Sequence, residues 1–168
     1  SFGSSLSIGA GALIKSVIYK DGYICFKTND YFKKGNAVVA AKDESGNILW
    51  SWHIWITDQP QEHVYNNDAG TLMDRNLGAT SAEPDIYSVG LMYQWGRKDP
   101  FMGPSSFDQN REFAKSSITW PTPVASDPST GTVEYAIANP TTFITYNANN
   151  KGWYYTPSAQ MTDTSWGW

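Results

Sequence analysis

The alternation of apolar and polar residues is clearest in the first sixty positions. LIKSVIY (13–19) and YICFKT (23–28) each alternate, and Lys20-Asp21-Gly22 separates them. Glycine accepts positive φ, so this triplet has hairpin-turn chemistry and the two runs read as paired antiparallel strands. AVVAA (37–41), the loop Lys42-Asp43-Glu44-Ser45-Gly46-Asn47 and ILWSWHIWIT (48–57) repeat the pattern of strand, loop and strand. Strand side chains alternate between faces. That puts Trp50, Trp52, Ile54 and Ile56 on one side of the last run, and Leu49, Ser51, His53, Trp55 and Thr57 on the other. The first side is wholly apolar and is the expected core face, with Trp50 and Trp52 buried in it.

Beyond Pro60 the pattern loosens. QEHVYNNDAG is a polar loop, and TLMDRNLGA (71–79) is a short apolar segment closing on Gly78-Ala79. In IYSVGLMYQWGRK (86–98), Ile86, Val89 and Tyr93 fall at i, i+3 and i+7 behind Asp85, a residue suited to an N-cap; this spacing predicts a helix, weakened by Gly90. Residues 99–135 are loop-rich, with five prolines breaking any long element. Asn139-Pro140 has the N-cap and N1 pattern of a short helix through Ile144. No repeat is visible. The first sixty residues alone would make a thin sheet with one face uncovered, so residues 1–168 are expected to form one domain or domain fragment, strand-rich over 1–60 and built of loops and short helices over 61–168. A single domain of this length buries roughly 68–70% of its unfolded surface and needs no staple.

Composition shifts attention to the rings. Charged residues are 17% and aromatics 15% of the 168 residues, the latter more than core filling alone demands. With a net charge of −4 and no Lys/Arg cluster, the chain offers nothing to neutralise phosphates, and nucleic acid is not an expected partner. No apolar run is long enough for a membrane span, and SFGSSLSIGAGALIK lacks the basic start of a signal peptide; a secreted parent would already have lost its signal. The single cysteine, Cys25, sits in YICF and reads as a small buried hydrophobe rather than a nucleophile. His53 and His63 have no metal-binding spacing, and His53 reads as a packed histidine bonded to a neighbour. Neither calcium nor zinc is expected. The loop Ser126-Asp127-Pro128 offers a cation only one carboxylate, and no cofactor is implied. Asp74-Arg75-Asn76 and Arg97-Lys98-Asp99 could pass for acid/base machinery, but such clusters are more often ion pairs, and no enzyme is expected.

Five segments carry a family resemblance: GNAVVAAKDESGNILWSWHIW (35–55), LMDRNLGA (72–79), GLMYQWGRKDPF (90–101), TWPTPV (119–124) and NPTTFITYN (139–147). In that order they resemble consecutive blocks of the C-terminal domain of fimbrillin-like surface proteins of Bacteroides and relatives. The resemblance implies an α+β fold of antiparallel strands with short helices and long loops, C-type-lectin-like and similar to formylglycine-generating enzymes and to the variable proteins of diversity-generating retroelements. It also implies export, usually as a lipoprotein, and display on the extracellular side of the outer membrane or at a pilus. In the family a segment of the form Cys-Pro-x-Gly-Trp-Arg-x-Pro would follow shortly after Trp168, so the resemblance implies a lectin-like domain truncated at its C-terminus. Trp153, Tyr154, Tyr155, Trp166 and Trp168 would then lack their usual cover. The calcium-binding triplets of lectins are missing, and Asp58-Gln59-Pro60 has their letters in the wrong order.

Together these features point to a non-catalytic, adhesin-like domain for carbohydrate or host-protein binding. Trp153, Tyr154 and Tyr155 follow the loop residues Asn149-Asn150-Lys151-Gly152 and are the candidate ligand-binding rings; packing on the sheet is the competing reading. The alternative function is a structural pilus subunit that joins other subunits by strand addition, with LSIGAGALI as the donor.

Overall fold

The computed structural model describes residues 13–85, 87–101, 121–146 and 152–155. The donor run up to residue 12, Ile86, Trp166 and Trp168 lie outside the described residues. Strands dominate: β1 (Ile14–Lys20), β2 (Tyr23–Thr28), β3 (Gly35–Lys42), β4 (Ile48–Ile56), β5 (Glu62–Val64), β6 (Thr71–Met73), β7 (Met92–Tyr93), β8 (Pro100–Phe101) and β9 (Val124–Ala125), then the helix α1 (Val133–Ala138) and β10 (Ile144–Thr145). Among the described residues they form five two-stranded sheets, pairing β1 with β2, β3 with β4, β5 with β6, β7 with β8 and β9 with β10. The fold is therefore β-rich or α+β, mostly small antiparallel sheets with one short helix.

Both early hairpins form where the alternation places them. At the first turn Asp21 and Gly22 take φ of 52° and 83°, the left-handed values that an Asp-Gly hairpin turn supplies at low cost. The second loop is closed by Asp43, whose Oδ1 accepts from the Asn47 N–H at 2.8 Å, with Gly46 at φ 87°.

Two expected helices are not where periodicity and the Asn139-Pro140 start signal placed them. Asp85 does cap a turn, its Oδ1 accepting from the N–H groups of Tyr87 and Ser88, but no helix follows. Gly90 is held at φ +76°, and a Cβ there would stand 2.5 Å from the Leu77 carbonyl oxygen, so the chain crosses residues 76–79 instead of coiling. Leu91 N–H donates to that same oxygen at 3.0 Å. The one helix among the described residues begins earlier than Asn139. Thr132 Oγ1 accepts from Tyr135 N–H at 3.0 Å, Glu134 favours the helix N-terminus, and Asn139 ends the helix as its C-cap.

The chain separates into two compact units. The described residues of the first are 13–38, 53–85 and 87–92; those of the second are 39–52, 93–101, 121–146 and 152–155. In the first, Ala79 is fully buried, and Asn36 Nδ2 and Trp55 Nε1 donate to the Gly78 and Ala79 carbonyls at 2.8 and 2.9 Å. In the second, Ala136, Ile144 and Trp153 form the core, with Val124 and Tyr135 packed against it, and Phe101 meets Phe143 edge-on at 5.3 Å.

Candidate functional site

The core face expected of β4 is reversed in its first half. Trp50 and Trp52 are 41% and 38% exposed, whereas Ser51 between them is 3% exposed. Ser51 Oγ donates to Asp99 Oδ1 at 2.9 Å and accepts from Lys98 Nζ at 2.5 Å; Lys98 Nζ also reaches the Ser51 carbonyl and Asp99 Oδ1. A buried hydroxyl needs such partners, and here they come from residues 47 and 48 positions along the chain. Once Ser51 is drawn inward, the pleat turns the two indoles outward. Lys98 Nζ lies 4.8 Å from the centroid of the Trp50 ring, and its ammonium is already committed to Ser51 and Asp99. What remains open to solvent is aromatic surface on two side chains two residues apart, roughly 6.5–7 Å along the strand.

The second unit is organised by Arg97. Its Nη1 donates to the Thr142 carbonyl at 2.8 Å and to Gln94 Oε1 at 2.9 Å, and its Nη2 donates to the Asn139 carbonyl at 3.2 Å. The guanidinium lies 4.6 Å from the Phe101 ring and 5.6 Å from the Trp153 ring. Burial pushes Arg97 below the usual arginine range, and the charge of Asp99 opposes that shift. Gln94 completes the tie by donating Nε2 to the Ile144 carbonyl at 2.7 Å and accepting the Ile144 N–H.

The three rings singled out in the sequence divide. Trp153 is 7% exposed, donates Nε1 to the Trp95 carbonyl at 2.5 Å and belongs to the core, so its face is not presented to a ligand. Tyr154 is 40% exposed and stands edge-on to Trp153 at 5.7 Å. Tyr155 is half-buried and tied by its N–H to the Gly131 carbonyl at 2.8 Å. A Cβ on Gly131 would come within 2.6 Å of Tyr155 Cβ, which shows how closely that segment is laid down.

The other singled-out groups have structural partners. His53 Nε2 meets Asn36 Oδ1 at 2.8 Å; because the Asn36 amide nitrogen donates to Gly78, Nε2 is the donor of that pair. Arg75 grips Asp74 with Nε and Nη2 and reaches Asp58 and Thr57 with Nη1, and Lys34 joins at Asp58. Lys34 and then Arg75 hold the Asp58 carboxyl well below the usual range, and the hydrogen bonds from Arg75 lower Asp74. Cys25, expected to be buried, is exposed: it lies opposite Ile18 in the β1–β2 hairpin, and Ile18 is exposed with it. Among the described residues no three His, Cys, Asp or Glu side chains converge as a metal ion would require.

Asp127 folds its own loop. Its Oδ1 accepts from the Ser129 hydroxyl and from the N–H groups of Thr130 and Ser129, which lowers the carboxyl from 3.8 to about 2. A folded pKa below the unfolded one gives stability that is fully present above the unfolded value and lost as pH falls through the folded one. The stability difference between wild type and Asp127→Ala should thus hold constant above pH ~5 and disappear between pH ~4 and ~2. Paired denaturant titrations across that range check this; a difference that persists unchanged at pH ~1.5 sinks the assignment.

No family model matches the chain, and neither does any curated protein or solved structure.

Proposed function

We propose that the chain is a non-catalytic, adhesin-like binding domain of the cell surface or a pilus, of the lectin-like kind found at the C-terminus of fimbrillin-like proteins, which takes a glycan or protein ligand outside the cell. The observation that carries this reading is the outward pair Trp50 and Trp52, large rings left partly exposed on one side of a strand whose other side is fixed by Ser51, Lys98 and Asp99. Rigid amphipathic rings give contact area at small entropy cost, and indole faces suit the C–H faces of sugars. Tyr154 adds a third exposed ring in the same unit, and no helix among the described residues is long and apolar enough to cross a membrane.

A glycan array probed with the whole chain and with Trp50→Ala/Trp52→Ala tests the reading. The double variant should lose at least tenfold in affinity for any glycan bound by wild type. Each single change should cost about 1 kcal/mol of stability or less, since these side chains are not core. Equal binding by the double variant overturns it, and no glycan bound by wild type overturns its glycan form. Pilus assembly by strand addition is the second reading, favoured by the unpaired outer edges that two-stranded sheets leave among the described residues.

A further inference from the structure

Two hairpins of the first unit present apolar faces of opposite charge, and we infer that they dock on each other between two copies of this chain. The register of the first pairs Lys20 with Tyr23, Ile18 with Cys25 and Ser16 with Lys27. Residues directly opposite share a face, so Ile18, Lys20, Tyr23, Cys25 and Lys27 stand together on one side. All five are exposed; on the reverse side Val17 and Ile24 are half-buried, while Tyr19 and Phe26 are exposed. In the second hairpin Glu62 pairs with Met73 and Val64 with Thr71, which gathers Glu62, Val64 and Met73 on one exposed side.

Charge selects the partner. Residues 13–34 carry five lysines against two aspartates, and residues 58–85 carry six carboxylates against Arg75 alone. Part of this is cancelled internally: Lys34 is held at Asp58, and Lys15 and Lys27 share Asp30. Among the described ion pairs none uses Lys20, Lys33, Glu62 or Asp68. An apolar face ringed by lysine does not pack on its own kind, because like charges would be brought together in a drying interface. It fits the face of Glu62, Val64 and Met73, and the same chain supplies both. A two-stranded sheet is marginally stable by itself, so covering each hairpin also stabilises it. The inference does not rest on the ligand-binding reading and would stand if no glycan were bound.

Sedimentation velocity of the whole chain over a concentration series, in about 0.05 M and about 1 M salt, tests it. Association should appear at low salt and its dissociation constant should rise at least tenfold at ~1 M, where the screening length is about 3 Å. Lys20→Glu/Lys27→Glu and Glu62→Lys/Asp68→Asn should each be folded by circular dichroism and monomeric alone, and should associate when mixed. A wild type that stays monomeric at low salt, or association indifferent to both salt and charge reversal, overturns the inference. The salt series on wild type decides the matter even if a variant fails to fold.

Discussion

Replacing Arg97 with methionine should lower the stability of the second unit by roughly 3–5 kcal/mol, as expected when a buried, multiply bonded charge is removed and its partners are left behind. The Thr142 carbonyl loses the donor it has at 2.8 Å, while the Asn139 carbonyl and Gln94 Oε1 each lose one of two donors and keep only the Thr142 and Ile144 N–H groups. The rings of Phe101 and Trp153 also lose the planar cation that lies against them. Lysine at this position should rescue less than half of the loss, since one ammonium cannot reach three acceptors in the plane of a guanidinium. The denaturant midpoint followed by tryptophan fluorescence reads the effect. A midpoint within error of wild type for Arg97→Met would mean that Arg97 is not the organising group of this unit.

Gly90→Ala should cost the first unit roughly 2–4 kcal/mol, the sum of a left-handed backbone and a forced backbone contact. At φ +76° the new Cβ would lie 2.5 Å from the Leu77 carbonyl oxygen and 3.1 Å from Asn76 Cβ, and a main-chain oxygen that already accepts the Leu91 N–H cannot turn away. Gly46 provides the control. Its φ is +87°, yet nothing lies within 4 Å of the position its added methyl would take, so Gly46→Ala should show only the conformational cost of about 1 kcal/mol. Equal losses for the two variants, read from denaturant midpoints, would mean that the crossing of residues 76–79 with 88–91 is looser than described.

The local features were the legible ones. Strands β1 to β4 and their turns follow from alternation and from Asp-Gly and Asp-to-Asn turn chemistry, which act over a few residues. The helix was misplaced: Asn139-Pro140 reads as a start signal, whereas in the structure Thr132 caps the helix and Asn139 ends it. What alternation could not show is which face of β4 is buried. Counting apolar residues favours the tryptophans, and the deciding groups, Lys98 and Asp99, are far away in sequence. The candidate rings show the same limit: Trp153 is core because Trp95 and Arg97 reach it, and neither tie leaves a local trace. The expected helix over 86–98 failed for a related reason, since the glycine that mildly weakens a helix is the one a chain crossing requires.

The ties of the second unit also set an order of events. Arg97 and Gln94 wait for residues 45 and 50 positions later, and Trp95 waits 58 positions for the indole that bonds its carbonyl. A chain made from its N-terminus can close the β1–β2 turn almost as soon as it is synthesised, whereas the second unit has no core until Trp153 has arrived. Contacts of such separation are entropically late and slow to form. During that interval Arg97 and its aromatic neighbours are without their partners, so the time of greatest exposure to misassembly falls between the synthesis of residue 97 and that of residue 153.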